Sequence, residues 1–389
     1  MKEYTKASFD NNPNQRELDN LQVAYRAACE AIVLLENDGA LPLTNKTIAL
    51  FGNGASRTIK GGTGSGEVNE RHSVSVLEGM ENAGFTITTK DWITEYDRLY
   101  TAKKDEFNKN RIKKAIKERN ILGGFLSDFP GCDARPISEE DIENSNTDTC
   151  VYVLSRQAGE GIDRTAEKGD LFITDRERAD ISLCAEKYEK FILVINAGSQ
   201  VDIKFLQEIS GINAVLFMAQ LGTAGGNAVA DTLLGKVTPS GKLTDTWAKQ
   251  YADIPYHDQF SYLNGNLNDE YYHEDIYVGY RYFDSFGVEP AYPFGYGKSY
   301  TEFDIIADNV SADNTVITVD VTVKNTGDKY SGKEVVQVYL SSPQGKLYKE
   351  YQSLVGFAKT GLLAPKKSEK VKIEIPKAIY AIIALYISQ

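Results

Sequence analysis

Two loops carry the side chains best suited to chemistry. The first is Ser155-Arg156-Gln157-Ala158-Gly159-Glu160-Gly161-Ile162-Asp163-Arg164, in which one carboxylate stands between two glycines. Flanking glycines permit tight backbone angles and leave room around the acid. A glutamate held there can be projected into a neighbouring site and used for proton transfer, although the same pattern also describes a solvated loop glutamate. The second loop runs from Gly52 to Glu67 and contains Lys60-Gly61-Gly62-Thr63-Gly64-Ser65-Gly66. Its glycines expose backbone N–H groups and Ser65 offers a hydroxyl, so it can approach a ligand closely. Phosphate binding fits poorly. The dinucleotide fingerprint has Arg57 where its last glycine belongs, and a P-loop needs a lysine where Glu67 stands.

Other residues carry weaker signals. His72, His257 and His273 are scattered, without a second ligand at helical spacing, so no metal site is spelled out. Cys29, Cys132, Cys150 and Cys184 form no C-x-x-C pair and read as reduced, mostly buried thiols. The tract from Tyr271 to Phe283 is dense in aromatic rings. Such rings can stack on sugars, but burial preference favours packing between domains.

The elements that must position these loops follow from the hydrophobic pattern. Apolar residues at helical spacing over 16–35 predict an amphipathic helix before the turn Asn37-Asp38-Gly39. Continuous apolar runs at Thr47 to Phe51, Cys150 to Leu154, Phe191 to Ile195 and Ala214 to Met218 read as buried parallel strands. Helical segments at 74–82, 103–118, 175–188 and 224–234 fall between them. This alternation predicts an α/β sandwich with a largely parallel sheet over 20–250, after an N-terminal extension over 1–19. Both candidate loops follow such strands, at the carboxyl edge where open sheets bind ligands. An aromatic-rich connector spans 251–302. From Phe303 the period becomes two, with Ile317, Val319, Val321 and Val323 on one face, and 303–389 reads as a small all-β sandwich of immunoglobulin or fibronectin type III kind.

Composition narrows the function classes. The chain has 389 residues, 42% hydrophobic and 25% charged, enough for two or three folded domains. A net charge of -12 disfavours nucleic acid, whose binding draws on clustered Lys and Arg. No run approaches the roughly 18 apolar residues of a membrane span. The polar N-terminus lacks a signal core, so a cytoplasmic location is expected.

Taken in order, several strings resemble the bacterial β-glucosidases of glycoside hydrolase family 3. They are Ala31-Ile32-Val33-Leu34-Leu35-Glu36-Asn37-Asp38-Gly39 with Leu41-Pro42-Leu43, Lys60-Gly61-Gly62-Thr63-Gly64-Ser65-Gly66, and Gly159-Glu160-Gly161 with Asp163-Arg164. Pro239-Ser240-Gly241-Lys242-Leu243, Glu274 to Tyr282, and Tyr292-Pro293-Phe294-Gly295-Tyr296-Gly297-Lys298-Ser299-Tyr300 follow. The resemblance implies a retaining enzyme in three parts: a TIM barrel with the nucleophilic Asp, an α/β sandwich with the acid/base, and a fibronectin type III-like domain. Glu160 matches the acid/base and Ser65 a hydroxyl that touches the sugar. No cofactor is implied.

Nothing before residue 20 or after residue 300 resembles the barrel. The order is that of permuted members that begin with the sandwich, and the fibronectin-like part reads as incomplete because Ile379 to Ile387 do not resemble the family's closing strands. The expectation is a truncated chain, a split gene or a disrupted reading frame. Its substrate is a β-glucoside or oligosaccharide and its partner a TIM-barrel domain in cis or trans, with negligible turnover alone. A non-catalytic carbohydrate-binding or scaffolding module is the alternative from another class.

Overall fold

A computed structural model describes residues 11–66, 68–117, 129, 131–158, 164–259, 266, 268–269, 271–343, 345 and 347–377. Glu67, the stretch 159–163 with Glu160, the start of the N-terminal extension and the apolar end over 378–389 lie outside them.

Helix α1 (Gln15–Ala31) starts at a capping box in which the Asn14 side chain accepts from the Glu17 amide and Glu17 returns a bond to the Asn14 amide. The helix expected over 16–35 stops early. Ile32 is extended, and Val33–Asn37 forms strand β1, pairing antiparallel with Ala214–Phe217. Apolar residues at Val33, Leu34 and Leu35 satisfy a buried strand as well as a helix, and a free sheet edge decides between them.

The four apolar runs form β2 (Thr47–Phe51), β4 (Thr149–Arg156), β5 (Lys190–Ala197) and β6 (Ala214–Phe217), with the short β3 (Thr86–Ile87) at one edge. Sheet order is β1-β6-β5-β4-β2-β3, parallel except for β1. Helices α2 (Val76–Asn82), α3 (Lys90–Lys117), α4 (Glu139–Ser145), α5 (Asp175–Lys187), α6 (Lys204–Glu208) and α7 (Gly225–Leu233) fill the crossovers. Nearly every side chain of β4 and β5 is buried, as a sheet covered on both faces requires.

The stretch after residue 250 is more structured than its poor periodicity predicts. It contains α8 (Tyr280–Phe286), and its last part returns to the sheet. Tyr292 bridges Trp247, and Lys298 bridges Leu34 on the outer edge of β1. Tyr280 packs against Phe294 and Tyr339, while Tyr271 and Tyr272 are exposed. Beyond lie two small sheets. One has order β11-β8-β7, from β7 (Phe303–Ala312), β8 (Val316–Asn325) and β11 (Ser368–Pro376); the other pairs β9 (Val335–Leu340) with β10 (Ser353–Lys359). Val319, Val321 and Val323 of β8, the predicted inner face, pack with Val336, Ile373 and Ile375.

Candidate active site

The carboxyl edge of the sheet is knitted together by side chains that complete the backbone ladder. At the end of β2, Gly52 has φ +94, and a Cβ there would lie 2.3 Å from the Val153 carbonyl oxygen. Only glycine lets the glycine-rich loop leave the strand so close to β4. Asn53 then acts as an added rung. Its Oδ1 accepts from the Ser155 amide at 2.7 Å and its Nδ2 donates to the Ser155 carbonyl at 3.2 Å.

Asn196, near the end of β5, is fully buried and ties three loops at once. Its Oδ1 accepts from the Ile59 amide at 2.7 Å and from the Ser155 hydroxyl at 2.8 Å. Its Nδ2 donates to the carbonyls of Ile59 at 3.0 Å and Ala219 at 2.7 Å. The Gly222 amide donates to the Lys60 carbonyl at 2.8 Å, and Lys60 pairs with Glu70. The glycine-rich loop is therefore held before it reaches the short 3-10 turn Gly64–Gly66 that contains Ser65. The Ser65 side chain lies outside the described residues.

The carboxylate loop is gripped at both described ends. On the near side, Arg156 and Glu177 form a buried bidentate pair at 2.7 and 2.5 Å, and Arg156 Nε donates to the Asp170 carbonyl at 2.9 Å. Glu177 also closes the capping box of α5 by accepting from the Thr174 amide at 2.8 Å. On the far side, Arg164 pairs with the Asp170 carboxylate and donates to the Ser199 hydroxyl at 2.6 Å. Asp170 accepts from the Thr165 amide at 2.5 Å and its hydroxyl at 2.9 Å. A cavity of about 210 Å³, lined by Arg164, Ser199, Asp202, Asp245, Gln250 and Tyr251, lies next to this anchor. Between the two loops, the Gln157 Nε2 donates to the Gly61 carbonyl at 3.1 Å. That bond brings the loops bearing Glu160 and Ser65 into contact, although both side chains themselves lie outside the described residues.

Arg156, Asp170, Glu177 and Asn196 were not singled out from the sequence. Thr174-Asp175-Arg176-Glu177 carries a capping-box signal, which explains Glu177 without revealing Arg156. The histidines stay apart. His72 pairs with Glu78 at 2.7 Å, His257 touches the Ile254 carbonyl at 3.1 Å, and His273 stacks between Tyr256 and Tyr271. Among the described residues no cluster of three or more His, Cys, Asp or Glu is placed to hold a metal, and no helix is long and apolar enough to cross a membrane.

Residues 32–300, which include both loops and the whole six-stranded sheet and begin just after α1, match the model of the glycosyl hydrolase family 3 C-terminal domain. The chain belongs to glycoside hydrolase family 3. Residues 334–383 match the fibronectin type III-like domain. Family 3 relatives include β-glucosidase A of Butyrivibrio fibrisolvens, 35% identical over 402 residues that cover 92% of this chain and 46% of the relative. The β-glucosidase of Ruminococcus albus is 34% identical over 367 residues, covering 91% of this chain and 36% of the relative. Among solved structures, β-glucosidase 3B from Thermotoga neapolitana in complex with α-D-glucose superposes with a TM-score of 0.82 at 38% identity, over 95% of this chain and 50% of that one. The chain thus spans about half or less of the length of these relatives.

Proposed function

We propose that this chain supplies the acid/base half of a retaining β-glucosidase, which hydrolyses O-glycosyl bonds at the non-reducing end of β-glucosides or oligosaccharides. Glu160 is the general acid/base and Ser65 a contact to the sugar. The nucleophilic Asp comes from a TIM-barrel domain, in cis or in trans. The observation that carries this reading is the family 3 match over 32–300, which contains both loops.

In such a reaction the Asp attacks the anomeric carbon while the second carboxylic acid, about 5 to 5.5 Å away, protonates the departing oxygen. Glu160 then takes a proton from the water that releases the sugar. Its proton affinity must rise while the nucleophile is charged and fall once that charge is lost in the covalent intermediate. The anchors at Arg156 and Arg164 suit this task, because proton transfer needs the carboxyl within hydrogen-bond reach of the glycosidic oxygen. Without the barrel, Glu160 has neither partner carboxylate nor a complete sugar pocket, so the chain alone turns over negligibly.

The test is hydrolysis of an aryl β-glucoside by the purified chain, alone and joined to a family 3 barrel bearing its nucleophile. The joined protein should be active and should lose about 10²- to 10⁴-fold on Glu160→Gln. Equal rates in the joined variant remove Glu160 from the reaction. Robust hydrolysis by the chain alone, abolished by the same substitution, removes the need for a barrel. Exposure of Tyr271 and Tyr272 favours the second reading, a non-catalytic carbohydrate-binding module. Calorimetry showing tight cellobiose binding, with no turnover in the joined protein, selects it.

A further inference from the structure

The connector that follows the parallel sheet starts at the same edge as the carboxylate loop. The Tyr251 amide donates to Asp202 at 2.7 Å, its ring meets Phe172 edge-on, and its hydroxyl donates to the His257 carbonyl at 2.6 Å. Tyr251 also lines the cavity of about 210 Å³ shared with Arg164, the far anchor of that loop. Directly before His257, Tyr256 has φ +53. A bulky residue rarely takes left-handed backbone, and such strain clusters where a side chain must be presented to a ligand. The bend places the Tyr256 ring in a stack. His273 lies 5.1 Å from Tyr256 and 5.8 Å from Tyr271, with interplanar angles of 29° and 22°. These nearly parallel rings stay open to solvent, Tyr256 being 43% and Tyr271 59% exposed, with Tyr272 beside them at 86%.

We propose that Tyr256, His273 and Tyr271 form a platform that holds the leaving-group end of a neutral oligosaccharide of three or more sugars. This rests on the reading of Glu160 as acid/base. An acid/base protonates the departing oxygen, so elements beside its loop border the leaving group, and the connector touches that loop's anchor through Tyr251. Residue types select the ligand. Residues 256–275 contain five carboxylates and no Lys or Arg, which repels an anionic chain. The same carboxylates disfavour a protein partner, because the cores of protein interfaces are depleted in Asp and Glu. A neutral oligosaccharide meets both conditions. Its ring C–H groups suit the electron-rich faces of the tyrosines, and its hydroxyls can donate to carboxylates. Between platform and anchor, the cavity offers Asp202, Asp245 and Gln250 to the sugar nearer the cleaved bond. A short aryl glucoside does not extend to the platform, whereas a tetrasaccharide does. The platform therefore sets a preference for chain length.

The test compares cellotetraose with an aryl β-glucoside, using the chain joined to a family 3 barrel. In Tyr256→Ala and Tyr271→Ala, the ratio of kcat/KM for cellotetraose to that for the aryl glucoside should fall about tenfold, mainly through a higher KM. Tyr271→Phe, which keeps the ring, should retain the parent ratio. An unchanged ratio in the alanine variants overturns the proposal. Equal losses on both substrates overturn it in favour of a surface that docks the barrel. Tyr271→Ala decides alone if Tyr256→Ala does not fold. A second measurement needs no activity. The chain has three histidines, so ring-proton NMR signals are few, and His273→Gln identifies one of them. Millimolar cellotetraose should shift the His273 signals of the chain alone, and tetragalacturonate, charged on every ring, should not. If the joined protein is inactive, the reading of Glu160 fails by itself: a cellotetraose-specific shift still establishes the platform as a sugar site, and its absence overturns the platform.

Discussion

Asn196 and Ile59 exchange two hydrogen bonds, the Asn196 carbonyl accepting from the Ile59 amide at 2.7 Å and its amide donating to the Ile59 carbonyl at 3.0 Å. A buried side chain thereby stands in for a strand, holding the glycine-rich loop against β5. Asn196→Asp turns the donor into an acceptor facing the carbonyls of Ile59 and Ala219. A loss of about 2–4 kcal/mol is expected, since buried polar groups lose both their bonds and their solvation. Urea unfolding measures it, and a change within about 0.5 kcal/mol, as at ordinary surface sites, contradicts the role given to Asn196.

The crossing of α2 and α7 depends on glycine at both contact positions. A Cβ on Gly226 would lie 1.9 Å from the Ser75 carbonyl oxygen, and one on Gly79 2.1 Å from the Gly226 carbonyl carbon. These neighbours are backbone, so they cannot rotate away. Gly226→Ala should cost about 3 kcal/mol or prevent folding, whereas Gly66→Ala, with nothing within 4 Å, should leave stability unchanged. Comparing the two thermal midpoints checks the claim.

Removing one member of the Arg156–Glu177 pair strands a buried charge. Glu177→Ala should destabilise by about 3–5 kcal/mol. Replacing both residues by apolar side chains of similar size should recover much of that loss, because the desolvation of both ions disappears with them. A double variant no more stable than Glu177→Ala shows that the pair's other bonds, to the Asp170 and Thr174 backbone, dominate instead.

Two carboxylates predict opposite pH dependences. Burial pushes Asp180 up from 3.8 to about 6, despite the bond from the Ile137 amide. A carboxyl whose folded value is raised favours the fold below the unfolded value, and this contribution is lost as pH rises from about 4 through 6. Asp141 is held down at about 2 by hydrogen bonds from the Arg135 guanidinium, so its contribution is present above 3.8 and disappears as pH falls towards 2. Asp180→Asn keeps an acceptor for Ile137 without the charge. Its stability relative to the parent should therefore rise between pH 4 and 6 and stay level above. A pH-independent difference between the two proteins rules out Asp180 as the titrating group.

Much of the sheet was legible because burial on both faces writes strands as unbroken apolar runs, and those at Thr47, Cys150, Phe191 and Ala214 became β2, β4, β5 and β6. The period-two run around Val319 likewise marked the inner face of β8. Val33 to Leu35 misled, because three adjacent apolar residues suit either a helix or a buried strand and only the open edge of β6 turned them into β1. The glycine-rich and carboxylate loops were visible as strings, but their meeting through Gln157 and Gly61 was not.

Local pattern by itself thus determined which segments are strands, which loops could hold reactive groups and which family the chain resembles, since those depend on neighbours a few residues apart. Only the tertiary structure decided the polar frame: that Asn196 bonds Ile59, that Arg156 meets Glu177, and that Asp170 ties Arg164 to Thr165. A buried polar side chain takes whatever partner folding brings within about 3 Å, and that choice leaves no periodic trace along the chain.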